Sequence, residues 1–148
     1  MPKLVKNSVL LSVTAAFVVG ASGVAVAAGS ASGDDRSEAL VTFAHYPSGE
    51  EFRVKVTDAG VIDHAEQLMA GAKGISALPV GIIERAPTDN ADNPGYDWRV
   101  KSESFEFADA GSLTCDGAPS GVTNGPMWYY DTVSYCPWIA DVVKVDKR

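Results

Sequence analysis

Two cysteines, Cys115 and Cys136, constrain most strongly what this chain can fold into. Two thiols behind an export signal pair as one disulfide. The loop they close is about 22 residues long, and the chain-entropy model assigns such a loop about 3.4 kcal/mol. A small domain is held by roughly 5–15 kcal/mol in all, so one staple is a large share. A metal site would need more Cys or His at short spacing, and a redox pair would need Cys-x-x-Cys. The chain has neither pattern. The stretch that runs through the second cysteine, Trp128 to Trp138, holds two of the three tryptophans and three of the five tyrosines.

The export signal is at the amino terminus. Lys3 and Lys6 precede an apolar or small run from Ser8 to Ala28, and Ala25-Val26-Ala27 has the small-x-small form that signal peptidase reads. Residues 1–27 are therefore expected to be a signal peptide. A retained anchor is the competing reading, since about 20 apolar residues span a bilayer. The Ala/Gly/Ser content and the Ala-x-Ala site favour cleavage. No cysteine adjoins the site for lipidation, and no twin arginine is present, so the general export route is expected. Removing Lys3 and Lys6 from the 12 basic residues leaves 10 against 19 acidic ones, a net charge of −9. An acidic domain repels nucleic acid and anionic membrane, so neither is an expected partner.

Residues 28–38 are small and polar, with nothing to bury, and read as a flexible lead-in. The folded domain is expected over 39–148. Ala39 to Tyr46 is rich in strand formers. Pro47-Ser48-Gly49-Glu50 reads as a turn. Glu51 to Thr57 then alternates, with Phe52, Val54 and Val56 on one face, so the pair reads as a hairpin. Asp58 can cap a helix carrying Val61, Ile62, Ala65, Leu68 and Met69 at helical spacing, ended by Gly71 or Gly74. His64 falls beside Asp63 on or near the polar face. Further strands are expected over Leu78–Glu84, Tyr96–Lys101, Phe105–Phe107 and Ile139–Val145, with loops at Ala86–Gly95 and Gly117–Pro126. Strands with one interposed helix predict an α+β domain: a small antiparallel or mixed sheet, one helix packed on a face, and one disulfide.

Few residues suggest chemistry. Asp89, Asn90, Asp92 and Asn93 group oxygen side chains as a calcium site would, but without the spacing of an EF-hand. A turn whose Asn and Asp side chains bond their own backbone explains the same residues. Tyr96, Trp98, Trp128, Tyr129 and Trp138 are candidate ligand-binding aromatics; in a small domain the same residues more usually fill the core around a disulfide. Neighbours alternate on a strand, so Trp128, Tyr129 and Tyr130 would not all face inward, and Tyr129 is the best candidate for exposure. Gly-x-Ser-x-Gly, His-Glu-x-x-His and phosphate-loop patterns are absent, and His45 and His64 are the only histidines. No catalysis and no cofactor are expected.

The strings Glu51 to Asp58, Asn93-Pro94-Gly95-Tyr96-Asp97-Trp98, Cys115-Asp116 and Cys136-Pro137-Trp138 resemble a family of small secreted domains found in actinobacterial and eukaryotic chains. The resemblance covers Ala39 to about Val145. Relatives carry a more helical stretch where this chain has Gly117 to Tyr135. Some members bear a calmodulin-binding label, but the resemblance implies no activity and no catalytic residues. Calmodulin targets are basic amphipathic helices. The one helix expected here carries Asp63 and Glu66, with only Lys73 nearby. The expectation is a secreted, non-catalytic binding module for an extracellular protein or glycan. The alternative is a secreted protease inhibitor that uses residues 117–127 as its reactive loop.

Overall fold

Strands β1 (Ala39–His45) and β2 (Glu50–Val56) form the hairpin that their alternation predicts, with Phe43 opposite Phe52 and Val41 opposite Val54. The computed structural model describes residues 37–125 and 134–148; the proposed signal peptide, most of the lead-in and the segment 126–133 lie outside them. The remaining elements are α1 (Ala59–Met69), β3 (Leu78–Arg85), β4 (Trp98–Val100), β5 (Glu106–Ala108), α2 (Pro119–Asn124), β6 (Ser134–Tyr135) and β7 (Ala140–Lys147). Short 3-10 turns occupy Ser102–Ser104 and Leu113–Cys115.

The last strand returns to the first. β7 pairs antiparallel with β1 on the side away from β2, giving the order β2-β1-β7, with a register shift between Thr42 and Phe43. The carboxyl-terminal Arg148 N–H donates to the Glu38 carbonyl at 2.8 Å. Because β1 is central, it is buried on both faces: Leu40 and Thr42 are covered as well as Val41 and Phe43. Leu40 lies opposite Lys55 and Asp146, long or charged side chains whose stems can shield it while their heads stay in water.

Helix α1 starts and stops where the sequence predicts. The Asp58 carboxylate accepts the Val61 N–H at 3.0 Å, satisfying one of the donors that a helix start leaves open. At the other end, Gly71 N–H donates to the Leu68 carbonyl and Ala72 N–H to the Gln67 carbonyl. That pattern is a Schellman cap, and Gly71 supplies the positive φ it requires. Ile62 and Ala65 are buried, and the helix lies chiefly against β7 and β1. Met69, expected on the apolar face, is exposed because it is the helix's last residue. His64 turns toward β5 instead of the polar face. Its ring stacks on Phe107 with centroids 4.9 Å apart, and its Nε2–H donates to the Ser76 carbonyl at 2.6 Å.

The other strands form a second sheet around β3. β5 pairs antiparallel with the start of β3, β6 with its middle and β4 with its end. The Ser104 hydroxyl bridges the break between β4 and β5: it accepts the Ile82 N–H and donates to the Lys101 carbonyl. The α+β class is as expected, but the strands divide into two antiparallel sheets. β4 and β5 are too short and too interrupted to continue β1, β2 and β7. An aromatic seam joins the sheets. Phe43 and Phe52 stack at 5.0 Å; Phe43 meets Phe105, and Phe52 meets Trp98 and Tyr135. Among the described residues no helix is long and apolar enough to cross a membrane.

Candidate functional site

Cys115 and Cys136 are joined, with Cα atoms 5.0 Å apart. The bond is one of several ties between two short segments, Cys115-Asp116-Gly117 and Tyr135-Cys136-Pro137-Trp138. The Cys136 N–H donates to the Cys115 carbonyl at 2.7 Å. The Asp116 carboxylate accepts the Trp138 N–H at 2.8 Å and the Gly117 N–H at 2.9 Å. The Tyr135 hydroxyl donates to the Gly117 carbonyl at 3.0 Å. Burial pushes the Tyr135 phenol far above its ordinary range, so it stays a neutral donor. Pro137 and Cys136 are buried beneath. The clamp therefore presents whatever follows it from a fixed base.

Apolar side chains follow it. Trp138 is 47% exposed, Ile139 57%, and Leu113, in the turn leading to Cys115, 81%. Single exposed apolar residues are ordinary. Three large ones within three residues of the paired cysteines are not, and one of them, Trp138, lines a hollow of about 220 Å³ together with Leu78, Asp109, Ala110 and Gly111. Gly111 is part of its lining. A Cβ built there would lie 2.7 Å from Cys136 Sγ and 2.9 Å from Leu78 Cδ2, so only glycine lets the loop close over the disulfide. A second hollow begins one residue along the chain, at Ala77, and includes Tyr46, Met69, Lys73 and Asp141. Tyr46 N–H donates to the Ile139 carbonyl, which links the two edges.

The expected loop at 117–126 contains helix α2. Pro119 stands in its first turn, where its missing N–H costs nothing, and Pro119 and Val122 are buried. The Ser120 N–H donates to the Glu50 carboxylate at 3.0 Å, across 70 residues of sequence. Hydrogen bonding from Ser120, its side chain first and then its backbone N–H, lowers the Glu50 carboxyl from its ordinary value. Gly and Ser concealed the helix in the sequence; the anchor from β2 supplies what propensity lacks. An extended reactive loop does not coincide with a helix, so the described part of 117–127 lends the inhibitor alternative no geometric support.

The BP-74 N-terminal domain family matches residues 37–148. The chain belongs to that family. No curated protein and no solved structure matches it.

In this member of the family the candidate residues separate. Trp98 is fully buried at the centre of the aromatic seam and offers no surface to a ligand. Tyr96 is half-buried against it, with ring centroids 5.3 Å apart. Trp138 stands at the surface. Trp128 and Tyr129 lie outside the described residues.

The calcium candidates have different surroundings. Asp92 faces Arg99 at 3.4 Å, and Asp89 is exposed. The Asn90 amide donates to the Pro87, Asn93 and Tyr96 carbonyls, and its oxygen accepts the Asn93 N–H. The buried Asn93 accepts the Arg53 N–H at 2.9 Å and donates to the Trp98 carbonyl at 3.2 Å, fastening the loop to β2 and β4. The turn thus bonds its own backbone. Among the described residues no three metal-ligating side chains converge. Sequence reasoning did not find Asp116 or Gly111. The adjacent Cys-Asp-Gly string is the signal that could have pointed to Asp116; Gly111 shows only once the chain is folded.

Proposed function

We propose that this domain is a secreted, non-catalytic recognition module. Its binding surface is the apolar patch of Leu113, Trp138 and Ile139. One observation carries the reading: large exposed apolar side chains are mounted on a segment tied down by a disulfide and three hydrogen bonds. A pre-ordered surface loses little conformational entropy on binding, which is how rigid anchors gain affinity. The partners of both histidines and both cysteines support this reading. His64 bonds Ser76, His45 Nδ1 contacts the Ser48 hydroxyl at 2.8 Å, and both cysteines are paired. Secretion is supported by the amino-terminal pattern and by the disulfide, which persists in oxidising compartments.

Two measurements test the reading. Intact mass of protein from the culture medium should match cleavage near Ala27, less two hydrogens; an uncleaved chain or free thiols would remove the compartment. The immobilised, disulfide-bonded chain should then be screened against secreted proteins and a glycan array. Binding lost on Trp138→Ala combined with Leu113→Ala supports the patch. Binding that survives both substitutions, or no binding at all, overturns it.

A further inference from the structure

The hollow beneath Trp138 is small. At about 220 Å³ it falls below the roughly 300–1,000 Å³ of a small-molecule site, so its size suits one side chain rather than a whole cofactor. Its walls are mainly apolar. Among the described residues that line it, Asp109 has the only charged side chain, and one of its oxygens already accepts the Ser76 hydroxyl at 2.7 Å. A sugar ring, whose hydroxyls need several partners, finds few here.

The charge around it is one-sided. Asp109 lines the hollow, Asp116 holds Trp138, and Asp141 borders the adjoining depression; all three are exposed. Lys73 is the one cation among the described residues lining either depression. Many of the other cations are balanced: Lys55 and Arg148 by Glu38, Arg85 by Asp97, Arg99 by Glu84, Lys144 by Asp146 and Lys147 by Glu66. The apolar patch is therefore rimmed by carboxylates, while those bases are engaged with other acids.

We propose that this face binds a lysine- or arginine-rich peptide segment. One aliphatic side chain of the segment enters the hollow against Trp138, and the flanking cations meet Asp109, Asp116 and Asp141. The proposal rests on the recognition reading above and adds the partner's chemistry. A second copy of this chain is disfavoured, because pairing the same face across a two-fold axis would bring like charges together.

The test uses the secreted, disulfide-bonded chain and three labelled peptides: Lys-Leu-Gly repeats, Lys-Ser-Gly repeats and Glu-Leu-Gly repeats. The first should bind roughly tenfold or more tighter than either other, since it alone supplies both charge and anchor. Its affinity should fall as salt rises from about 50 to about 300 mM, where screening shortens the reach of the rim charges. Trp138→Ala should abolish binding, and Asp109→Asn with Asp141→Asn should weaken it and flatten the salt dependence. Equal binding of the Lys-Ser peptide would mean charge alone acts and would overturn the proposal, as would preference for the Glu-Leu peptide. If no peptide binds but the patch captures a glycan or self-associates in sedimentation, the peptide proposal fails and the recognition reading stands. If none of these occurs, both fail.

Discussion

The carboxylate of Asp116 accepts the backbone N–H of Trp138 at 2.8 Å, 22 residues further along the chain. The same oxygen accepts the Gly117 N–H, so one exposed acid orders both sides of the disulfide. Asp116→Ala should lower unfolding stability by about 1 kcal/mol, the size of an ordinary hydrogen bond, because the carboxylate is exposed to water. It should also broaden or shift the emission of Trp138. Urea denaturation followed by tryptophan fluorescence checks both. Unchanged stability would show that the disulfide and the Cys136–Cys115 backbone bond suffice.

Cys115→Ser with Cys136→Ser removes the covalent tie. The loss should be about 3 kcal/mol, most of it through the freer unfolded chain. Thermal melting with and without reductant reads the effect. The wild-type chain in reductant should match the double variant without it.

Gly111→Ala places a methyl group on the disulfide and Leu78. Overpacking of this kind costs about 1–3 kcal/mol. The hollow beside Trp138 should deform with it, so peptide or partner binding should fall more than stability alone explains. Comparing Kd and urea midpoint for the same variant separates the two effects.

Asn93→Ala leaves the Arg53 N–H and the Trp98 carbonyl without their shared partner. Each is a buried or half-buried backbone group, and losing such a partner costs about 1–3 kcal/mol. Hydrogen exchange should show the Arg53 amide losing protection first.

Glu50 gives a pH dependence of known sign. Its folded-state pKa lies below the ordinary value near 4.5, chiefly through the bond from Ser120. Its contribution is therefore fully present above the ordinary value and is lost as pH falls through the lower folded one. Glu50→Gln should leave the neutral-pH melt slightly lower and flatten the acid limb in that window. The group is only partly shielded, so the effect is that of a partly solvated pair. Stability followed from neutral pH down to acid checks it.

Local patterns were legible wherever one face meets one core. Phe52, Val54 and Val56 alternate, and β2 is buried at those residues. Asp58 and Gly71 bracket α1 through caps that depend on neighbours in sequence. Pairings set by distant partners were not legible. α2 depends on Glu50, and the position of His64 depends on Phe107 and Ser76. Trp98 and Trp138 have the same residue type and opposite surroundings. The first is on β4 of the second sheet with its ring against Phe52 of the first, and the second is just beyond a clamp at the surface.

Composition and short-range spacing were enough to read the export pattern, the single disulfide, the acidic balance and the α+β class. Each depends on residue counts or on neighbours within a few turns of chain. Three outcomes waited on the folded molecule. The strands divide into two sheets, the Asn90–Asn93 turn spends its amides on its own backbone, and Trp138 rather than Trp98 faces outward. Those outcomes follow from which long-range contacts bury the most aromatic surface while pairing the enclosed backbone N–H and carbonyl groups, a condition that no local window of sequence contains; the buried Trp98 indole N–H has no hydrogen-bond partner among the described residues.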